Sequence, residues 1–386
     1  MITLSGKGDI MIYNAFKDKQ LSALGMGCMR LPTKGENKDI DVEATKEMID
    51  YAMKKGINYY DTAWGYHGGN SETVMGEVLS EYKRESFYLA SKFPGYDLNN
   101  MTKVEEIFEK QLEKCRVEYF DFYMFHTVSE SNIEEYLNPK NGIFEYLVEQ
   151  KKQGRIKHLG FSTHGSLETI ERFLKAYGSE MEFCQVQLNW LDWLLQNAKA
   201  KVDLLNKWNI PVWVMEPVRG GRLCNLEEKY LSRLQAIAPN RSLPEWAFRF
   251  VQSVPEVKVT LSGMSNFDQL KENIDTYATN EPLTDAEFEL LLEIAREMMA
   301  VGTYPCTSCR YCIDYCPQGI NIPWMMEIYN GKIYSGSAFK APDVFQTMPK
   351  EKLPSGCLGC RACEAVCPQN IKISEMMKDF TKRLKG

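Results

Sequence analysis

The feature that most restricts the fold of this chain is an alternation of short β-prone runs with amphipathic stretches, sustained over roughly 280 residues. Strand-like runs fall near Ala23 to Cys28, Ile57 to Tyr60, Phe87 to Lys92, Tyr119 to Phe125, Ile156 to Phe161, Phe183 to Gln187, Val212 to Met215 and Val257 to Leu261. Between them lie helical patterns such as Val42 to Lys55, with Ala44, Met48, Ile49 and Ala52 on one face, and Val104 to Cys115, with Ile107, Phe108 and Leu112. Helix stops are legible at Lys54-Lys55-Gly56 and at Gln153-Gly154. Eight such repeats predict a (β/α)8 TIM barrel. A doubly wound dinucleotide-binding sheet would carry G-x-G-x-x-G after its first strand, and none follows here. Ahead of the barrel, residues 12 to 22 read as a hairpin with Asp18 and Lys19 at its turn.

Barrel chemistry collects at the C-terminal ends of the strands. The run Ile57 to Tyr60 delivers Asp61 to such an end, and a loop with Gly65, Gly68 and Gly69 then carries Tyr66 before a helix opens at Ser71. Two further runs end at Lys92 and His126. Each residue alone has an ordinary role open to it: a helix cap, a solvated strand end, a loop aromatic, a rim histidine. Recurrence at the ends of three strands points to one site. A phenol, with an ordinary pKa of about 10, becomes a useful acid only beside a cation and a carboxylate that tune it. Trp64, Trp190 and Trp193 are candidates for a substrate pocket or for plain packing, and His164 for a cofactor contact or an idle loop position. Cys28, Cys115, Cys184 and Cys224 lack paired spacing and read as buried thiols.

The chain's 46 basic and 52 acidic residues, net −6, leave no basic footprint for nucleic acid and no polybasic membrane arm. No apolar run approaches the ~18 residues of a membrane span, and the first ten residues do not form a secretory leader. A cytoplasmic location is expected. Charge and cysteine are unevenly placed. From Val301 onward there are 11 basic and 7 acidic residues, net +4, against −10 for the first 300, and eight of twelve cysteines follow residue 305. Two domains are expected, a barrel over 1–283 and a small, mostly helical domain over 303–386, joined by a linker helix over 284–302 that opens with a Thr284–Glu287 capping signature.

In that tail, Cys306, Cys309, Cys312 and Cys316 followed by Pro317 spell C-x-x-C-x-x-C-x-x-x-C-P, and the pattern returns at Cys357, Cys360, Cys363, Cys367 and Pro368. This spacing is specific for paired [4Fe–4S] clusters in which the fourth cysteine of each run ligates the other cluster. The expected sets are Cys306, Cys309, Cys312 with Cys367, and Cys357, Cys360, Cys363 with Cys316. Zinc would favour two separated C-x-x-C pairs, and disulfides fit poorly in a chain with no leader. Two oxidised clusters at about −2 each nearly cancel the tail's +4. The insert between the runs, helical near Pro323 to Tyr329 and then rich in Gly, Ser and Pro, resembles helical two-cluster ferredoxins.

The constellation Asp61-x4-Tyr66, then Lys92, then His126 at successive strand ends resembles the aldo-keto reductases over about residues 12 to 280, and G-M-G-C-M-R-L-P at Gly25 to Pro32 resembles their branch with a ferredoxin-like tail. The resemblance implies hydride transfer between NADP or NAD and a small carbonyl substrate. Tyr66 would donate the proton, Lys92 lower its pKa, Asp61 hold Lys92 and His126 orient the carbonyl. It further implies cofactor contacts from Ser162, Thr163, Gln187 and Met215, the last standing where the family usually stacks an aromatic. The loop Glu216, Pro217, Arg219 and Gly221 would lie along the pyrophosphate, with Arg219 a phosphate partner. Gly263, Ser265, Gln269, Glu272 and Asn273 would take the adenosine end, where Gly263, Met264 and Gln269 supply no cation for a 2′-phosphate.

A nicotinamide gives two electrons together, whereas a cluster takes one. Three functions therefore stand open: a carbonyl reductase whose clusters are structural or sense redox state; an electron-transfer enzyme coupled to a ferredoxin, another redox protein or a flavin; and a nicotinamide-binding sensor. An intact tetrad argues against the sensor.

Overall fold

The structure, a computed structural model, describes residues 11–35, 39–300, 302–307, 309–335, 345 and 348–384. The N-terminal decapeptide and residues 336–344 of the loop between the cysteine runs lie outside those ranges. Eight parallel strands close into a barrel: β1 (Leu24–Gly27), β2 (Tyr59–Asp61), β3 (Tyr88–Phe93), β4 (Phe120–Val128), β5 (Ile156–Thr163), β6 (Cys184–Gln187), β7 (Val212–Met215) and β8 (Val257–Ser262). Each pairs with the next in sequence, and β8 pairs with β1 to close the ring. Helices α1 (Val42–Lys54), α2 (Ser71–Leu79), α3 (Val104–Cys115), α4 (Ile143–Lys152), α5 (Leu167–Tyr177), α6 (Ala198–Lys207), α7 (Leu243–Gln252) and α8 (Phe267–Tyr277) follow the strands in turn.

Strands enclosed by a helical layer are buried on both faces, so they read as continuous apolar runs. Strand β4 is the extreme case, with all nine residues of F-D-F-Y-M-F-H-T-V buried. The helices bury the faces their periodicity marks, α1 through Thr45, Met48, Ile49 and Ala52 and α3 through Ile107, Phe108, Gln111 and Leu112. Helix α1 starts where the Asp41 carboxylate accepts from Ala44 N and stops before Gly56, whose φ of 93° suits a residue without Cβ. The hairpin Tyr13–Phe16 and Lys19–Ser22 turns at Lys17–Asp18, one residue earlier than its polar pair suggests. It inserts Phe16 among Tyr59, Phe122, Phe183 and Trp213 of the barrel interior.

The chain divides into two compact units, one of residues 1–218 and 227–288, the other of 219–226 and 289–386. Helix α9 (Asp285–Ala300) begins in the first and ends in the second. Its capping box is formed: Thr284 N donates to Glu287 at 2.9 Å and Glu287 N to Thr284 Oγ1 at 3.3 Å. Among the described residues the second unit is helical, with α10 (Ile322–Ser335) and α11 (Ile373–Leu384). Ile373, Met376, Met377 and Phe380 lie on one face of α11 and pack with Met325, Met326 and Tyr329 of α10.

Candidate functional site

Strand ends bring four polar side chains together in the barrel. Asp61 closes β2, Lys92 lies next to the end of β3, and His126 sits near the end of β4. Tyr66 follows β2 on a 3-10 turn in which His67 and Gly68 take left-handed φ values of 52° and 62°. Lys92 Nζ donates to Asp61 Oδ1 at 2.6 Å, to Thr62 O at 2.8 Å and to the Tyr66 hydroxyl at 3.5 Å. An ammonium has three protons, and these acceptors match them. All four side chains are buried. Burial pushes the Asp61 carboxyl up, against the pull of Lys92. Burial, then the charges of Lys92 and His164, push the His126 imidazole well below its ordinary range, so it is neutral at pH 7. Its ring stands edge-on to Tyr66 at 6.1 Å and to Tyr96 at 5.2 Å.

A bulge aims His126. Phe125 pairs with Phe161 and Val128 with Thr163, so three steps on β4 oppose two on β5. The slack is taken at His126 and Thr127, and Thr127 carries a left-handed φ of 59°, costly for a β-branched residue. It is held on both sides. Thr127 N donates to Ser162 Oγ at 2.8 Å, while the buried Asn132 amide donates to Thr127 O at 2.8 Å and Gly95 O at 3.0 Å. Tyr136 fixes the His126 carbonyl at 2.8 Å. Asn132 and Tyr136 were not legible as site residues, because a one-residue register slip leaves no mark in composition.

Four of the expected cofactor positions, Ser162, Thr163, Gln187 and Met215, lie on neighbouring strands in register: Gln185 opposite Ser162, Val186 opposite Thr163, and Gln187 opposite Met215. Ser162 Oγ is engaged with Thr127, and the Thr163 hydroxyl donates to Val128 O at 2.8 Å. The Gln187 amide donates to Asp192 at 2.7 Å, and Asn189 donates to the same carboxylate oxygen at 2.7 Å and to Glu216 O at 2.9 Å. His164 hydrogen-bonds Gln187 as well. Met215 is half-buried, Pro217 buried, and Glu216 bends the chain with a φ of 56°. At the expected adenosine end, Ser265 N donates to Gln269 Oε1 at 2.8 Å and Ser265 Oγ to Arg30 O at 2.9 Å. Asn273 Nδ2 donates to Ser262 at 3.0 Å, and Glu272 is half-buried one residue before it on α8. A Cβ on Gly263 would stand 3.1 Å from Arg30 Cβ, a tight contact that the Arg30 side chain would have to relieve by a few tenths of an ångström. Arg30 is thus a cation beside positions that read as uncharged in sequence.

Arg219 and Gly221 are the loop residues expected along the pyrophosphate. Both belong to the second unit, and the Arg219 guanidinium, fully buried, donates to Pro305 O at 2.9 Å and Gln369 Oε1 at 3.2 Å. Trp193 packs against Phe250 and Phe288 and serves packing, and Trp190 is buried; Trp64 is half-buried, with Lys114 4.6 Å from its ring. Cys28, Cys115 and Cys184 are buried, but Cys224 is exposed.

The tail cysteines line two cavities. One is bordered by Cys306, Cys309, Cys312 and Cys367; the other by Cys316, Cys357, Cys360 and Cys363. Each holds three cysteines of one run and the fourth of the other, the crossed arrangement of a two-cluster ferredoxin. The remaining lining is mostly apolar, with Ile322 and Ile373 shared by both. Cysteine sulfur in apolar surroundings is the donor set an iron–sulfur cluster takes.

Comparison with known proteins accords with this geometry. Residues 23–296 match the Aldo/keto reductase family, and residues 305–372 match the 4Fe-4S dicluster domain. An uncharacterised oxidoreductase of Bacillus subtilis is 26% identical over 305 residues, 71% of this chain and 92% of that protein. An NADH-specific methylglyoxal reductase of Escherichia coli is 25% identical over 325 residues, 73% of this chain and 97% of that protein. A solved aldo-keto reductase of Bacillus halodurans superposes with a TM-score of 0.61 at 24% identity, covering 74% of this chain and 96% of its own, a likeness of fold. No helix among the described residues is long and apolar enough to cross a membrane. Barrel and strand-end residues on one side and crossed cysteine cavities on the other lead to one conclusion: the chain is an oxidoreductase of the aldo/keto reductase family that carries a 4Fe-4S dicluster domain.

Proposed function

We propose that the barrel reduces a small carbonyl compound with NADH or NADPH, Tyr66 supplying the proton, and that the cysteine cavities hold two [4Fe–4S] clusters. The observation that carries the barrel reading is the Lys92 ammonium held between the Asp61 carboxylate at 2.6 Å and the Tyr66 hydroxyl at 3.5 Å, beside a neutral imidazole. When bound, the nicotinamide supplies the hydride. The chain's residues do the rest. Lys92 stabilises the phenolate left when Tyr66 gives its proton to the carbonyl oxygen. Asp61 and Thr62 O keep the ammonium aimed at the phenol, and a neutral His126 can donate a hydrogen bond to the same carbonyl oxygen. The fit of a nicotinamide rests on three features: polar groups on adjacent strand ends at Ser162 and Gln187, the close approach at Gly263, and a buried His126 Nδ1 and Asp61 Oδ2 that have no hydrogen-bond partner among the described residues. Burying such groups is costly unless a bound molecule satisfies them.

A second reading has its own support. Two crossed cysteine sets beside a family of two-electron chemistry suit single-electron exchange with a ferredoxin or flavin partner. One experiment separates the two. Anaerobically purified protein is mixed with NADH or NADPH and a panel of aldehydes, ketones and methylglyoxal, while cluster absorbance is followed. Turnover that falls by roughly 10²–10⁴ in Tyr66→Phe, with clusters still oxidised, is the expected result. Clusters bleaching as nicotinamide is consumed, or turnover unaffected by Tyr66→Phe, would replace the reductase with electron transfer.

A further inference from the structure

We propose that His67 is a positioning residue whose imidazole latches the turn that carries Tyr66 to the segment leaving β1, and so holds the phenol where it can pass on its proton. The proposal rests on the carbonyl-reductase reading above. Strand β1 ends at Gly27, Cys28–Arg30 form a 3-10 turn, and the buried Leu31 follows. That turn packs against the turn Tyr66–Gly69. Leu31 N donates to His67 Nε2 at 3.1 Å. A backbone N–H shielded from water needs an acceptor, and here an imidazole supplies it in place of a carbonyl. A second tie joins the same two segments: Ser71 Oγ donates to Cys28 O at 3.0 Å and lies 2.9 Å from Thr62 Oγ1. Tyr66 sits on the loop between Thr62 and Ser71, so the segment after β1 fastens that loop at two points, one of them next to the phenol.

The backbone of the turn explains why a latch is needed. His67, Gly68 and Gly69 follow one another at φ values of 52°, 62° and 91°, all left-handed, so no helical ladder runs through them. Glycine adopts that region without strain and a residue with a Cβ does not. The side chain at 67 is therefore carried against a backbone preference for glycine, and the bond to Leu31 is what it returns. To accept that bond Nε2 must keep its lone pair, so the ring is neutral with its proton on Nδ1. Burial lowers the His67 pKa and favours this form. The Tyr66 hydroxyl stands 3.5 Å from Lys92 Nζ, the longest of that ammonium's three bonds, so a shift of the turn is felt there first.

Three variants of the full chain test the latch: His67→Leu and His67→Gly remove the acceptor, and His67→Gln keeps one that never ionises. Each is compared with wild type in anaerobic turnover of NADH or NADPH with the carbonyl panel, and in amide hydrogen exchange read by mass spectrometry over residues 28–32 and 62–71. His67→Leu should lower kcat by at least about tenfold and leave both KM values within about twofold, because the phenol is displaced and the binding surfaces are not. Residues 28–32 and 62–71 should exchange faster in it, with β4 and β5 unchanged. His67→Gln should recover most of the kcat and of the protection. His67→Gly separates latch from strain: it should be as slow as His67→Leu, and wild-type turnover in it would overturn the proposal. So would wild-type kcat and protection in His67→Leu, KM raised with kcat unchanged, or His67→Gln as impaired as His67→Leu. If His67→Leu does not fold, His67→Gly and His67→Gln decide by the same two measures. Wild type that turns over no carbonyl would sink the reductase reading, and exchange then decides the latch alone: equal protection in all four proteins overturns it, and loss in His67→Leu restored in His67→Gln supports it.

Discussion

Lys92 and Asp61 are both almost inaccessible, with side-chain exposures of 1% and 3%, so neither ion has water to fall back on. Removing one leaves the other as an uncompensated buried charge, which costs about 3–5 kcal/mol, whereas removing both is often close to neutral. Lys92→Met should therefore lower stability by about that amount, and Asp61→Asn with Lys92→Met should recover more than half of it while turnover stays down by at least ~10²-fold. Urea unfolding and nicotinamide oxidation on the three proteins check this. A double variant as unstable as Lys92→Met would show that the ion pair is not the source of the loss. The four barrel residues were legible because each stands at the end of an apolar run, where barrel geometry gathers side chains. Thr127 and Asn132 were not: the bulge that aims His126 depends on which β5 residue faces which β4 residue, a pairing that sequence does not display. The hydrogen bonds of Arg219 to Pro305 and Gln369 were hidden for a similar reason, since those partners lie 86 and 150 residues away.

At the level of elements, α2 and α3 form a brace behind β3. The buried Glu72 of α2 accepts from Ser91 at 2.7 Å, from Gln111 at 2.5 Å and from Lys114 at 2.9 Å, and Gln111 also donates to Lys92 O at 3.0 Å. Gly76 lets the two helices meet, because a Cβ there would stand 2.2 Å from Lys114 O. Alanine is the better helix former by about 1 kcal/mol, yet Gly76→Ala should destabilise by roughly 1–3 kcal/mol as α2 is forced off α3. An unchanged urea midpoint would mean that the helices separate freely. The sequence displays both helices and hides this contact, since a glycine inside a helical pattern reads as a weak former and not as a close approach. The hairpin at the other end of the barrel makes a prediction in pH. Burial opposes ionisation of Glu182, but hydrogen bonds with His158, Lys151 and Lys17 outweigh it and bring the carboxyl down to about 2. Its folded pKa lies below the ordinary carboxylate value of about 4.3, so the unfolded chain binds the proton more readily. The stability it contributes is present in full above that value and is lost as pH falls toward 2. Glu182→Gln should be less stable than wild type at pH 7 and show a shallower acid limb between about pH 4.5 and 2 in urea titrations. Parallel limbs would remove Glu182 from the account.

For the whole molecule, alternation over the first 280 or so residues was enough to specify a closed barrel, because each β–α repeat needs the next to bury its faces. The second unit has a weaker claim to stand on packing alone. It is the smaller of the two, and Cys312 and Cys363 are themselves members of its buried core, with Cys306, Cys316, Cys357 and Cys367 packed against it. On the two-cluster reading proposed above, the metal would supply much of this core's folding free energy, since binding to the folded form alone shifts the equilibrium. Stripping iron with a chelator under anaerobic conditions should therefore speed amide hydrogen exchange in α10 and α11, while β3, β4 and β5 of the barrel keep their protection. Mass spectrometry of holoprotein and chelated protein reads both regions in one experiment. Equal protection of α10 and α11 with and without iron would mean that Met325, Met376, Phe380 and their neighbours hold the unit unaided. Faster exchange in the barrel strands as well would mean that the metal stabilises the entire chain, and the two compact units would then be one folding unit.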